Sequence, residues 1–196
     1  MANEIEICQM ALDHIGARQI NALTDQCAEA RACRRLYGPA RDQVLRDHPW
    51  GFAERRRRLV MVKPPNLHGY TYAYEYPIDC FHAREIFRGA FLKPIEFRVA
   101  RLDEAYPKLI LTNEPHAILI YTAHVTDADA FDSAFATALS WRLAADLAMP
   151  VTKTLAVQQA AMEIYSYHIN SAGKNDAMEA HQDPVNHFTT FLDARN

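Results

Sequence analysis

The stretch from Asp129 to Thr154, DAFDSAFATALSWRLAADLAMPVTKT, limits the fold of this chain more than any other. Phe131, Phe135, Ala138, Leu139, Arg142, Leu143 and Leu147 recur at spacings of three and four, the period of a helix with one apolar stripe. Ala134, Ala138, Ala144, Ala145 and Ala148 keep the flanks small, so a second helix can approach closely. Pro150 lacks the amide that continues a helix and disfavours helical geometry at Met149, which predicts a break there. Thr152 is then placed to cap a second helix through Val157, Ala160, Ala161, Ile164 and Tyr165. The expectation is an antiparallel helical hairpin, which is a scaffold and carries no chemistry of its own.

Upstream, Asn3 followed by Glu6 has the form of a capping box, opening a helix through Ile7, Cys8, Ala11, Leu12 and Ile15 that Gly16 ends. Ile20 and Leu23 anchor a connector. Thr24 or Asp25 is the expected cap of the next helix, with Ala28, Ala32, Leu36 and Tyr37 on one side and a kink or interruption at Gly38-Pro39. After Trp50 the period changes. Leu59–Val62, Arg84–Phe87, Pro94–Val99, Leu109–Thr112 and Ala117–Thr122 read as short strands. Tyr70, Tyr72, Tyr74 and Tyr76 alternate, which places tyrosine along one strand face: a packing ladder first, a stacking platform second. The expected fold is α+β and mainly α: a helical bundle (residues 1–50 and 127–180) around a small antiparallel sheet (58–123), as one domain to residue 180 with an extended tail over 181–196.

Composition narrows function by exclusion. With 196 residues the chain can bury a real core, and no run of eighteen apolar residues is present to cross a bilayer. The opening MANEIEICQMALDHIG lacks the basic start and apolar core of a secretory signal, so synthesis in the cytoplasm is expected. Cys8, Cys27, Cys33 and Cys80 follow no paired metal-ligand spacing and read as small buried thiols. No phosphate-cradling glycine loop and no nucleophile-elbow serine appears, and no cofactor or metal is expected. The net charge of -3 predicts no bulk affinity for nucleic acid, but the charge is uneven. Arg55, Arg56, Arg57 and Arg58 form one basic cluster at the join of helix and sheet, and Arg31, Arg34 and Arg35 form another. Either is a solvated face or a surface for phosphate or an acidic partner. The last segment, from Gly173 onward, is polar apart from Phe188, Phe191 and Leu192, the pattern of a tail that orders on contact.

Several phrases carry a resemblance. Ala11-Leu-Asp-His-Ile-Gly16 precedes Ile20 and Leu23, then Ala28 to Tyr37, Arg41-Asp-Gln-Val-Leu45 and His48-Pro-Trp-Gly-Phe-Ala53. Tyr74-Glu-Tyr-Pro-Ile-Asp-Cys80, Tyr121-Thr122, Phe131 to Phe135, Leu143-Ala-Ala-Asp-Leu-Ala148 and Thr152-Lys153 follow in order. This series, spanning roughly residues 4 to 180, resembles the tail tubular protein A family, the head-to-tail adaptors (connectors) of short-tailed bacteriophages and prophages. The resemblance implies a structural virion protein with no catalytic role. It would form a ring, typically of twelve copies, under the portal protein, extending the DNA channel and presenting a platform for the tail nozzle, a tubular protein B-like partner. Genomic DNA would pass through without sequence-specific binding, and the free subunit can be a monomer. The sheet would lie toward the tail and the C-terminal segment would reach the portal, with Phe188, Phe191 and Leu192 as anchors. Arg55 to Arg58 would meet either a neighbouring subunit, the favoured reading, or channel DNA. A peptidoglycan-degrading, muramidase-like activity attributed to some relatives is the alternative, and no motif here carries it.

Overall fold

The computed structural model describes residues 3–63, 67, 69–87, 94–101 and 108–180. Four helices, α1 (Glu4–His14), α2 (Ala28–Asp47), α3 (Ser133–Thr152) and α4 (Leu155–Ala180), enclose one core. Among the described residues seven strands, β1 (Glu54–Arg58), β2 (Met61–Val62), β3 (Tyr72–Glu75), β4 (Cys80–Phe87), β5 (Phe97–Ala100), β6 (Leu109–Thr112) and β7 (Ile118–Ala123), lie between α2 and α3 in sequence. The architecture is the expected α+β, mainly helical one. Residues Phe188, Phe191 and Leu192, and the whole 181–196 tail, lie outside the described residues.

α3 is the central helix. Phe135, Ala138, Leu139, Leu143, Ala144, Ala145, Leu147 and Ala148 are fully buried, because α1, α2 and α4 all pack on it. Of the alanines that predicted close approach, Ala138, Ala144, Ala145 and Ala148 are in the buried contact, and Ala134 is exposed. α1 begins with the expected capping box: Asn3 Oδ1 accepts from the Glu6 amide at 2.9 Å, and Glu6 Oε2 accepts from the Asn3 amide at 3.0 Å. Gly16, at φ +63°, takes the left-handed turn that leaves the helix.

Neither proline interrupts its helix where an interruption was expected. α2 runs unbroken through Gly38-Pro39. Pro39 is exposed, so the Arg35 carbonyl it leaves unpaired faces water, and Gly38 has no Cβ to clash with the proline ring. α3 likewise continues through exposed Pro150 to Thr152 and ends at Lys153 in the left-handed conformation, whose amide donates to the Ala148 carbonyl at 3.1 Å. A proline in the last turn costs one hydrogen bond and leaves the turn intact. Thr152 is therefore the last residue of α3 and not the cap of α4; its hydroxyl donates to the Ala148 carbonyl at 2.8 Å. The cap of α2 is neither Thr24 nor Asp25 but Cys27, whose thiol accepts from the Ala30 amide at 3.4 Å. Asp25 is engaged instead by the amides of Asn21 and Ala22.

The expected single sheet is two antiparallel sheets, β1-β7-β4 and β2-β3-β6-β5. They pack face to face through Leu59, Tyr74, Ile86, Ile110, Leu119 and Tyr121. The β region also begins earlier than expected, at Glu54. Two register shifts in β4, between Cys80 and His82 and between Ala83 and Glu85, set Phe81 and Arg84 out of the ladder. Arg84 thereby reaches the helices. Its Nη2 donates to the carbonyls of Leu45 (2.9 Å) and His48 (3.0 Å), and its Nε to Thr122 Oγ1 (2.9 Å). The Trp50 indole donates to the Val44 carbonyl at 2.8 Å. Two of the carbonyls that the end of α2 leaves without a helical partner are thus satisfied by side chains from the connector and from β4.

Candidate interaction surface

The sequence marks Arg55 to Arg58 as the main basic site, at a helix–sheet join. They are in fact the body of β1, an edge strand paired only with β7, and all four side chains are exposed. Alternation sends Arg55 and Arg57 toward the face of Tyr121 and Leu119, and Arg56 and Arg58 toward the face of Ile120 and Ile118. Each guanidinium meets an acceptor of its own chain. Arg55 Nη1 donates to the carbonyls of Phe52 (3.0 Å) and Glu54 (2.8 Å). Arg56 Nε pairs with Glu54 Oε1 at 3.2 Å and lies over the Phe87 ring. Arg57 pairs with Asp79 at 3.4 Å, and Arg58 Nη2 lies 3.1 Å from His116 Nδ1. Edge arginines of this kind also keep the open strand from pairing with another sheet.

The second basic cluster behaves differently. Arg31, Arg34 and Arg35 lie on the outer face of α2, one helical turn apart, all exposed. None of the three side chains makes an ion pair or hydrogen bond with a described residue. Other arginines are engaged: Arg41 pairs with Asp42 at 2.8 Å, Arg142 with Asp146 at 3.2 Å, and Arg46 lies over the Phe81 ring.

The tyrosine alternation serves packing, in part as expected: Tyr72, Tyr74 and Tyr76 pack in the cluster between the sheets, with the Tyr72 and Tyr74 rings 6.4 Å apart, while Tyr70 packs on the other cluster. Only Tyr72 and Tyr74 belong to β3, and their cross-strand partners are Thr112 and Ile110, not aromatics. Tyr74 is buried, with its hydroxyl donating to the Glu114 carbonyl at 2.8 Å, so it is a core residue and no platform for a base or sugar.

Folding creates side-chain couples that local sequence gives no sign of. His14 Nε2 lies 3.0 Å from Ser140 Oγ across 126 positions, and its ring stacks on Trp141 at 3.6 Å. The Ser140 hydroxyl donates to the Thr137 carbonyl at 2.8 Å and is buried, so the histidine's partner is a hydroxyl whose proton is already placed. Burial lowers the pKa of His14. The couple locks α1 to α3. Asp42 Oδ1 similarly receives His124 Nε2 at 3.0 Å, tying α2 to the segment after β7. Cys8 and Cys33 are buried and hydrogen-bonded to one another; this contact, then burial, holds Cys8 well above the usual thiol range, as an unreactive thiol. Cys80 is buried too and Cys27 half-buried.

A cleft of about 290 Å³ opens between bundle and sheet, lined by Pro49, Glu54, Arg84, Glu85, Ile120 and Thr122. Of these, Arg84 is tied to the end of α2 and Glu54 pairs with Arg56. Among the described residues no three His, Cys, Asp or Glu side chains gather as metal ligands, and no helix is long and apolar enough to cross a membrane.

Apolar exposure is concentrated in two places. At the β end, Ile78 is fully exposed, with Val60 (60%) and Met61 (52%) also open. On α4 the inner face buries Ala161, Tyr165 and Ala172, and Tyr165 Oη donates to Asp47 Oδ2 at 2.6 Å. The outer face of the same helix leaves Ala156, Ala160, Ile164 and Tyr167 (69% exposed) in line at helical spacing, with Leu155 (57%) beside them. Neither protein-family models nor curated protein sequences give a match to this chain.

Proposed function

We propose that this chain is a structural head-to-tail adaptor, the subunit of a dodecameric ring at the head–tail junction of a phage virion, made in the bacterial host and docked beneath the portal. The reading rests on the ordered resemblance to the tail tubular protein A family, and the observation that supports it most is α4. A helix that buries Ala161, Tyr165 and Ala172 on one side and leaves a stripe of Ala156, Ala160, Ile164 and Tyr167 open on another is suited to lie between two packed layers. One layer is its own bundle. The other is supplied by a neighbouring subunit when the ring closes. The nozzle protein then sits on the assembled platform, and genomic DNA runs through the channel without base readout.

Docking proceeds by coupled ordering. Phe188, Phe191 and Leu192 of the 181–196 tail become buried between portal subunits, each contributing roughly 1.5–3 kcal/mol before the cost of ordering is subtracted. One tail is a weak ligand, and a ring of tails is a strong one. In this reading Arg55 to Arg58 stiffen the β1 edge and face a neighbour, since a dense cationic ring would hold phosphate and impede sliding DNA.

Particle mass measured for the chain alone, and again with its cognate portal, tests the proposal. The expected result is a small free species that converts to a ring on the portal, and a chain lacking residues 181–196 that keeps its helical spectrum but no longer docks. A chain that ignores the portal and turns over a small molecule or peptidoglycan refutes it.

A further inference from the structure

Arg31, Arg34 and Arg35 are a cluster of cations that no described acid of this chain pairs with, and an acidic turn elsewhere on the chain is left without a described cation in the same way. Asp127, Asp129 and Asp132 are all exposed, within six residues, and none pairs with a cation among the described residues. They are held rigidly. Asp127 Oδ1 accepts from the Asp129 amide at 3.1 Å, and Asp132 Oδ1 from the Phe135 amide at 2.6 Å. Phe131, between them in sequence, is buried against Phe52 and Phe135. One oxygen of Asp127, one of Asp132 and the whole Asp129 carboxylate remain for an outside donor.

From this complementarity we infer that the α2 face of Arg31, Arg34 and Arg35 binds the Asp127–Asp132 turn of a second copy of this chain. The two patches do not neutralise each other within one chain. α2 meets the segment after β7 at Asp42 and His124, just before the acidic turn. Arg35 and Arg31 lie seven and eleven residues back from Asp42, about 10 and 16 Å along the helix axis. Two different patches meeting between copies make a heterologous contact, in which each subunit is donor to one neighbour and acceptor to the other; such a contact repeats until it closes as a ring or runs on as a filament. Guanidinium forks on a stiff helix match carboxylates fixed by backbone amides, so the contact sets register between copies. Exposed pairs are individually weak and screened by salt, so free subunits stay largely single until a scaffold holds them side by side. The inference rests on the adaptor reading for its biological setting, but its test does not need the portal.

The test is sedimentation of the full chain up to millimolar concentration, at low and high salt, with folding checked by far-ultraviolet circular dichroism. Three variants are compared with the natural chain: R31E/R34E/R35E, D127K/D129K (which spares the Asp132 helix cap), and the two combined. The natural chain is expected to self-associate at low salt and not at high salt. Either reversal alone weakens association about tenfold or more, the size expected when like charges are set face to face. The combined variant regains it, and the two single-patch variants associate with each other when mixed. A natural chain that stays single throughout overturns the contact, as does a combined variant no better than either parent. Binding of a DNA duplex that is lost in the arginine variant but kept by a non-associating acid variant assigns the face to phosphate and also overturns it. If the portal still yields a ring in those cases, the adaptor reading survives; if self-association follows the patches while the portal is ignored, the contact stands and the adaptor reading falls.

Discussion

The helical half and the β half of this molecule bury their residues in different ways. α3 is enclosed by three other helices, and eight of its side chains are fully buried in one continuous core. Among the described residues the β half buries smaller clusters: one shared by its two sheets, and a second in β2-β3-β6-β5, where Ala73, Leu109 and Leu111 are buried with Val62, Leu67, Tyr70 and Ala100 packed against them. The most exposed apolar side chain, Ile78, is there, as is the open edge of β1. The larger core places stability chiefly in the helices. Among the described residues the two halves meet chiefly through Arg84, Arg46 over the Phe81 ring, and the Asp42–His124 pair.

Leu143→Ala probes this difference most strongly. The side chain is fully buried at the middle of α3, where the neighbouring alanines cannot expand to fill the space. A loss of about 2–5 kcal/mol is expected in urea or guanidinium unfolding, enough to consume much of the stability of an ordinary domain. Were the loss under 1 kcal/mol, α3 would not be the keystone.

Arg84→Ala comes next. It removes three hydrogen bonds from a half-buried guanidinium and orphans the Leu45 carbonyl at the end of α2. Burial already lowers the pKa of Arg84, so the group sits there at a cost that its acceptors offset. A destabilisation of about 1.5–3 kcal/mol is expected. The sharper readout is where it falls: hydrogen exchange should quicken in β4 and β7 and stay slow in α3. Uniform quickening would mean that the halves unfold as one unit.

How much of this was legible in sequence follows the same division. α1 and α3 announce themselves because a 3.6-residue period and a capping box are local signals, read within one segment. The prolines misled because their effect depends on what faces the freed carbonyl. Pro39 and Pro150 both look to solvent, a fact set by tertiary packing. Strand positions were largely readable, but their division into two sheets was not, since it depends on pairings such as β1 with β7, over sixty residues apart. Of the surface, both arginine clusters were visible; which one had acceptors was not. Arg57 finds Asp79, and Arg58 finds His116, only after the strands have paired. The one available sign of Arg84 was a single arginine within the otherwise half-buried Cys80–Phe87 strand.

The smallest effect expected separates the two arginine clusters. Arg57 and Asp79 are 59% and 53% exposed at the side chain, so their pair is largely screened by water. Arg57→Gln should cost at most about 0.5 kcal/mol in stability, and that cost should vanish at high salt. Arg34→Gln, with no described acceptor to lose, should be neutral or slightly stabilising at every salt concentration, because it relieves repulsion from Arg31 and Arg35 along the α2 face. Paired denaturation curves at low and high salt decide the matter. If Arg34→Gln destabilises the single chain as much as Arg57→Gln, then the α2 arginines serve their own fold and are not held for a second copy. If it leaves the single chain unchanged yet weakens association, the run of four on β1 and the three on α2 divide as the acceptors around them imply: one set stabilises the edge of its sheet, and the other is kept on a rigid helix for a carboxylate that no described residue of its own chain supplies.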